Sequence, residues 1–191
     1  MSTINYENFL ENPITFQQKD MLEEYYKNYI ENNLVKKKEF YKIGVLQRVI
    51  YYKELETIDQ IFAMYPNVIS FEIRERESVN NYTKEIERGY YNGDYKFVGV
   101  SIINSDGKDI YSSTLNKDDE TVLLKSVKKF YHGIYQFENN VVHYFDYNED
   151  GSLKQMEVKG DLYRASEVIS YFGDNWITMI YYHFATPMIP K

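Results

Sequence analysis

The segment Lys84–Ile103, KEIERGYYNGDYKFVGVSII, has the pattern of a β-hairpin with Asn92-Gly93 at its turn. Asn-Gly is among the strongest short hairpin signals because both residues tolerate positive φ. The flanking runs are rich in β-branched and aromatic residues, which favour strands. The sequence therefore predicts that Lys84–Tyr91 pairs with Tyr95–Ile103 in an antiparallel arrangement.

The same pattern recurs along the chain. Leu34–Tyr41 and Val45–Lys53 flank Gly44 as a second predicted hairpin. Further runs with strand composition are bounded by turn residues such as Asp106-Gly107, Asn139-Asn140 and Asp150-Gly151. The additional predicted strands are Val68–Arg76, Asp109–Ser113, Ile134–Phe137, Val141–Asp146, Leu153–Val158 and Trp176–Phe184.

Helical periodicity is confined to a few segments. Thr15–Asn32 places apolar side chains close to helical spacing, and a second predicted helix runs from Asp118 or Asp119 to Tyr131. Thr57 has the character of an N-cap for a short helix over IDQIFAMY, which Pro66 ends. Ala165–Phe172 fits a helix or an extended segment equally well.

These elements predict an α+β fold. We expect a curved antiparallel sheet built from hairpins, with two or three helices on one face. The length of 191 residues fits one domain spanning residues 1–191, and no low-complexity linker divides it.

Composition excludes several kinds of chemistry. The chain has no cysteine, so disulfides, thiolate nucleophiles and sulfur-ligated zinc are ruled out. The formal charge of −7 weighs against binding a nucleic-acid backbone. No run approaches the roughly 20 apolar residues of a membrane-spanning helix, and the N-terminus MSTINYENFLENP lacks the features of a secretory signal. A cytoplasmic location is the resulting expectation.

Tyrosine is unusually frequent, with 21 of 191 residues. One interpretation is a β-rich fold with aromatic cross-strand pairs. The other is a binding face, because tyrosine offers a large contact area at a low entropic cost. Composition leaves both interpretations open.

The loop Asp146–Glu157, DYNEDGSLKQME, matches every specified position of the EF-hand calcium pattern. In a calcium site, oxygen ligands would come from Asp146, Asn148, Asp150 and Glu157, with Gly151 at the sharp turn and the Ser152 carbonyl as a further ligand. The flanking runs have strand periodicity, however, whereas an EF-hand needs a helix on each side. We therefore predict a hairpin turn here without a metal, with a calcium turn outside the EF-hand family as the alternative.

Other candidate chemistry is sparse, and the sequence assigns no catalytic residue, cofactor or metal ligand. The histidines His132, His143 and His183 lack metal-ligand spacing. We interpret Lys36–Lys38 as a charged, solvated strand edge and Lys117–Glu120 as a helix N-terminus. No phosphate-binding loop or serine-hydrolase motif is present in the sequence.

The aromatic and Gly-x-Leu turns of EFYKIGVLQRVIYY and HYFDYNEDGSLKQMEV resemble the hairpin meanders of small bacterial immunity proteins, which neutralise polymorphic or contact-delivered toxins. The pattern is also similar to MORN-like repeats. The resemblance implies a cytoplasmic, non-catalytic inhibitor whose partner is a protein, and an acidic surface would suit a basic toxin. The alternative function is a small-ligand binder or hydrolase with an aromatic pocket lined by Trp176, Tyr181 and Tyr182.

Overall fold

A computed structural model describes residues 2–186 and 188–190. Within them, 13 strands form one mixed sheet in the order β13-β12-β11-β10-β9-β8-β7-β6-β5-β4-β3-β1-β2. The strands are β1 Ser2–Asn8, β2 Pro13–Ile14, β3 Glu24–Glu31, β4 Leu34–Lys42, β5 Val45–Tyr52, β6 Ser70–Val79, β7 Tyr82–Tyr91, β8 Asp94–Ile103, β9 Asp109–Thr114, β10 Lys128–Tyr135, β11 Glu138–Tyr147, β12 Leu153–Val158 and β13 Asp161–Arg164.

The helices of the described residues are short. They are α1 Phe16–Lys19, α2 Ile58–Met64, α3 Ala165–Phe172 and α4 Asn175–Thr178, together with 3₁₀ turns at Leu124–Ser126 and Ile180–Tyr182. Strands make up 54% of the structure and helices 15%, so the protein is mostly β rather than clearly α+β. A sheet built largely from hairpins is confirmed, but it is mixed and not purely antiparallel, and the expected face of two or three helices is replaced by these short elements.

Two-residue turns connect many neighbouring strands. At Asn92-Gly93 the two φ angles are 51° and 79°, as the sequence predicts, and at Ile43-Gly44 they are 49° and 72°. Asn32-Asn33, Gln136-Phe137 and Lys159-Gly160 also have positive φ at both positions. A pair of positive φ angles gives the turn the twist that matches antiparallel strands.

The sheet contains one parallel pair among the strand pairs whose register the structure describes. β5 and β6 run side by side, with Val49 opposite Phe71, and the connection between them carries α2. Thr57 caps this helix as predicted, in a capping box with Gln60. Ile61 of α2 is fully buried against Val49, Phe71 and Ile73, so the crossover helix covers the sheet with an apolar side chain.

Residue contacts group the chain into two compact units. The first unit comprises the residues up to Arg76 together with Ile86–Phe97, and the second comprises Glu77–Glu85 together with the residues from Val98 onward. The prediction of one domain over residues 1–191 stays a prediction. In the second unit the fully buried side chains include Tyr111, Phe145, Met156 and Val158.

Some tyrosines form the cross-strand pairs that the composition suggested. Tyr25 on β3 lies opposite Tyr41 on β4, and their rings stack with centroids 5.1 Å apart. Tyr90 and Tyr95 stack in the same way across the Asn92-Gly93 turn, at 5.3 Å. Such aromatic pairs each stabilise a sheet by about 0.2–1 kcal/mol.

The predicted helix over Thr15–Asn32 is wrong. Only Phe16–Lys19 is helical, and Glu24–Glu31 is a strand that pairs with β1 on one side and β4 on the other. Tyr26 and Asn28 are buried on alternating positions, as a strand requires. Pairing partners outside the segment therefore override its helical spacing.

The predicted helix from Asp118 to Tyr131 is also wrong. Asp119 accepts hydrogen bonds from the backbone and hydroxyl of Thr121, so the acidic residues form a turn instead of a helix N-terminus. The strand β10 begins at Lys128. The predicted strand Trp176–Phe184 is wrong as well, because this segment contains most of α4 and a 3₁₀ turn. Ala165–Phe172 is a helix, which is one of the two forms that its sequence allowed.

Candidate functional site

A groove in the first unit carries the clearest features of a binding surface. It consists of three adjoining clefts of about 420, 480 and 170 Å³. The first two share Phe9, and the second and third share Arg48, Ser70 and Tyr91. We call this surface the Arg48 groove. The large apolar side chains that line it and remain 39–76% exposed are Phe9, Leu10, Leu22, Ile69, Tyr91 and Phe97.

One wall of the groove is a loop held by backbone hydrogen bonds within residues 8–12 and by the Asn8 side chain. The Oδ1 atom of Asn8 accepts hydrogen bonds from the backbone amides of Leu10, at 3.0 Å, and of Asn12, at 2.9 Å. An asparagine that bonds to its own backbone in this way stabilises a tight turn. The turn presents Phe9 and Leu10 to solvent beside the groove, and the Phe9 ring lies 6.1 Å from that of Phe40.

The floor of the groove is a row of side chains across four neighbouring strands. Tyr26 on β3 lies opposite Phe40 on β4, Phe40 lies opposite Arg48 on β5, and Arg48 lies opposite Ser70 on β6. Residues directly opposite one another point to the same face of a sheet. Regular strand pairing therefore fixes the positions of two aromatic rings and one guanidinium within this surface.

Arg48 is incompletely satisfied. Its Nη2 atom donates to the Tyr26 hydroxyl at 3.0 Å, and its guanidinium carbon lies 5.9 Å from the centre of the Phe40 ring. Its Nε atom is buried without a hydrogen-bond partner, and among the described residues no carboxylate lies within ion-pair distance of it. A buried donor left without an acceptor costs about 1–3 kcal/mol, and a charged donor costs more.

A second polar cluster surrounds Glu39, which is only 4% exposed. Its carboxylate accepts hydrogen bonds from the hydroxyls of Tyr29, Tyr41 and Tyr65 at 2.9–3.1 Å, and Lys37 Nζ lies 3.1 Å away. Burial alone would raise the pKa of Glu39, but the hydrogen bonds from Tyr29 and Lys37 outweigh it and lower the pKa below its ordinary value.

The same cluster keeps its phenols neutral. Burial and the neighbouring Glu39 carboxylate raise the pKa of Tyr29 to about 12. Glu39 is thus a weak base, and Tyr29 keeps its proton near neutral pH. Because all four donors are directed at one carboxylate, we interpret this cluster as structural: it joins β3, β4 and the end of α2 within the first unit.

The residues of the predicted aromatic pocket lie in the core of the second unit. Trp176 is 8% exposed and stacks on His183 with ring centroids 4.3 Å apart. The Tyr182 ring lies 4.8 Å from that of Phe145, and the Tyr181 hydroxyl donates to the Met188 carbonyl at 2.7 Å. These side chains are brought together as predicted, but they pack on neighbouring rings and backbone.

The same region contains a buried lysine that the sequence did not single out. Lys129 is completely buried, and its Nζ donates to the carbonyls of Tyr181 and Phe184 at 2.5 and 2.7 Å. It lies 3.8 Å from the centre of the Tyr181 ring. Burial lowers the pKa of Lys129 to about 7. The lysine thus ties the C-terminal segment to β10.

The Asp146–Glu157 stretch is the predicted hairpin, between β11 and β12. The Asp150 carboxylate accepts from the amide and hydroxyl of Ser152, and the Asp146 carboxylate accepts from Gln155. Glu157 lies within β12, opposite Tyr144. Across residues 2–186 and 188–190, no group of three or more His, Asp or Glu side chains is arranged to hold a metal ion.

The two similar turn sequences adopt different turns. Lys42 pairs with Val45 around the two-residue turn Ile43-Gly44. Tyr147 pairs with Leu153, which leaves a five-residue loop with Gly151 at φ +81°. Gly151 is buried, and a methyl group there would meet Leu124 and Ala185. The Gly-x-Leu stretches around Gly44 and Gly151 are therefore similar in sequence, but they form different turns.

The remaining predicted polar residues have structural partners. Lys36–Lys38 belong to β4, which is paired on both sides, so the interpretation as a sheet edge is wrong. Their ammonium groups contact Glu54, Glu39 and Glu7, respectively. Each histidine ring lies within hydrogen-bonding distance of a backbone carbonyl: His132 of Asp109, His143 of Val141 and His183 of Trp176.

Within the part of the chain that the structure describes, every helix is too short or too polar to cross a membrane. Comparison of the chain with family models, with curated proteins and with solved structures finds no match.

Proposed function

We propose that this chain is a non-catalytic protein-binding module and that its partner docks on the Arg48 groove. The observation that carries the proposal is the continuity of six exposed, large apolar side chains around one arginine. Aromatic residues and arginine are enriched at the energetic centres of protein interfaces. Exposed apolar side chains are ordinary when scattered singly, whereas contiguous ones characterise binding surfaces.

The groove can supply useful affinity. Complete burial of one Leu, Ile or Phe side chain contributes about 1.5–3 kcal/mol. A micromolar complex corresponds to about 8 kcal/mol. Burying the remaining exposed surface of all six side chains would approach that value before the entropic cost of association is subtracted. Additional polar contacts are therefore needed, and Arg48 is placed to make one.

Among protein-binding functions, we favour an immunity-type inhibitor that blocks a toxin in the cytoplasm. The hairpin turns of the sequence support this class, and the formal charge of −7 would attract a basic toxin over long distances. A tight stoichiometric inhibitor needs a large, preorganised surface and no reactive group. The row Tyr26-Phe40-Arg48-Ser70 meets that need because paired strands hold it.

A second candidate function is the binding of a small molecule in the central cleft. Its volume of about 480 Å³ lies within the range of ligand pockets, and it combines aromatic walls with one charged group. In this alternative the ligand site is the central cleft of the Arg48 groove, and not the predicted pocket at Trp176, Tyr181 and Tyr182.

A capture experiment tests the leading proposal. The immobilised chain is exposed to the protein products of the genes next to its own, at several salt concentrations. The groove variant Ile69→Ser/Tyr91→Ser is compared with Leu55→Ser, which removes a 96% exposed apolar side chain that lines none of the three clefts. We expect wild type and Leu55→Ser to retain a partner that the groove variant loses. Equal retention by all three proteins, or the absence of any partner, would contradict the proposal.

A further inference from the structure

We propose that Arg48 receives a carboxylate of the partner, so that the partner presents an Asp or Glu side chain flanked by apolar residues. This inference rests on the proposed function, since it concerns the chemistry of the surface that the Arg48 groove binds. It adds a polar requirement to a contact that is otherwise apolar.

Most N–H donors of the Arg48 guanidinium have no acceptor among the described residues. A guanidinium has five N–H donors and no acceptor. Of these, the described residues engage one, through the Tyr26 hydroxyl, and the buried Nε atom has no partner. Carboxylates accept two parallel hydrogen bonds from guanidinium groups, which makes them the acceptors that best match this geometry.

The described acidic residues of the groove do not neutralise the charge of Arg48. Glu72, which lines the same cleft as Arg48, accepts a hydrogen bond from Arg74 Nε at 2.6 Å. Lys96, in that cleft as well, pairs with Asp94. Glu24, at the far end of the groove, pairs with Lys42. Glu72 and Glu24 are thus bound to other cations, and Glu23, the third acid of the lining, makes no ion pair with Arg48 among the described residues, so Arg48 keeps its charge available.

The Arg48 side chain is held in place before any ligand binds. The Phe40 ring lies beside the guanidinium and the Tyr26 hydroxyl fixes one of its nitrogens, while strand pairing holds all three residues. A side chain already held in its binding geometry loses little entropy when the ligand arrives. The apolar walls of the groove also lower the local dielectric constant, which strengthens a charge-assisted hydrogen bond.

The overall charge makes such a site selective. A chain with a formal charge of −7 repels anions on average. An acidic side chain alone would gain little, and apolar residues alone would leave the guanidinium without an acceptor for its remaining donors. A segment that combines both satisfies the groove, whereas a basic partner with no exposed acid leaves Arg48 unsatisfied.

Two probe peptides test the inference without any variant of the protein. One is acetyl-Leu-Phe-Asp-Phe-Leu-amide, and the other has Asn in place of Asp, so neither has a terminal charge. Binding is followed by the ¹H–¹⁵N signal of Arg48 Nε and by the backbone signals of the groove. We expect the Asp peptide to shift the Nε signal and to bind about tenfold more tightly, because a hydrogen bond to a charged group is worth more than one to a neutral group.

Substitutions then test whether Arg48 causes the preference for the Asp peptide. Arg48→Gln should abolish the preference for Asp over Asn, and Arg48→Lys should retain part of it. The control is Arg76→Gln, which alters an exposed arginine of the same unit that lines none of the three clefts and should keep the full preference. Equal binding of both peptides, no binding of either, or an unchanged preference in Arg48→Gln would overturn the inference. The proposed function would survive that result if a captured partner still depends on Ile69 and Tyr91.

Discussion

Replacing Lys129 with methionine should change how the stability of the protein depends on pH. Burial lowers the pKa of Lys129 from 10.5 to about 7 in the folded protein. Between these values the unfolded chain binds more protons than the folded one, so folding becomes more favourable as pH rises. Below pH 7, Lys129 is protonated in the folded protein as well as in the unfolded chain, so it no longer makes the free energy of unfolding depend on pH.

The expected magnitude follows from the linkage relation. With a folded pKa near 7, this side chain makes the free energy of unfolding rise by about 2 kcal/mol between pH 7 and pH 9. The cation–π contact with Tyr181 and the two carbonyl acceptors favour the charged form, so this value is an upper bound. Lys129→Met removes the titrating group, so the free energy of unfolding of the wild type minus that of the variant should rise with pH.

Urea unfolding followed by tryptophan fluorescence measures this difference. Trp176 is the chain's one tryptophan and lies in the core of the second unit, which also contains Lys129. Measurements at pH 7, 8 and 9 avoid the titration of tyrosine, whose ordinary pKa is about 10. Other titrating groups are common to both proteins and cancel. A difference that stays constant over this range would show that Lys129 keeps an ordinary pKa and would refute the reasoning.

Three further outcomes are expected. Glu39→Gln should lower the free energy of unfolding by about 2–4 kcal/mol in urea titrations, because a neutral amide is a weaker acceptor for the three tyrosine hydroxyls and the partly exposed Lys37 loses its counter-charge; the exposed control Glu31→Gln should change it by under about 0.5 kcal/mol. Ile43→Asn should raise the free energy of unfolding by about 1 kcal/mol, because a β-branched residue is strained at φ +49° and asparagine is not. An unchanged melting temperature would count against this prediction. Millimolar calcium should leave the melting temperature unchanged if Asp146–Glu157 is a metal-free hairpin, and an increase would show that the folded chain binds the ion.

The parts of the fold that depend on short-range chemistry could be predicted from the sequence. Asn92-Gly93 specifies a turn because both residues accept positive φ, and the Thr57 capping box specifies the start of α2. Glu24–Glu31 could not be assigned in this way. Its strand form depends on pairing with β1 and β4, and neither partner lies within the segment.

The candidate site was beyond sequence reasoning for a related reason. Tyr26, Phe40 and Arg48 share a row only if the register of two successive hairpins is known, and both hairpins contain irregularities that shift the register. The free Nε donor of Arg48 and the burial of Lys129 are likewise visible only when all neighbouring side chains are in place. The turn dipeptides Asn32-Asn33 and Ile43-Gly44 could have located the two hairpins in the sequence. They could not have given the register, because an undetected bulge displaces every later pairing by one residue.

The nearly sequential order of the strands has a consequence for how the chain folds. Most strands pair with the strand that follows them, so most hairpins can close with loops of two to five residues at a small entropic cost. The β5–β6 pair differs, because its parallel register requires the crossover through α2 to form first. We expect hairpins to form within microseconds and this crossover to limit the folding rate of the first unit. Substitutions at Ile61, which joins α2 to the sheet, should then slow folding more than they accelerate unfolding.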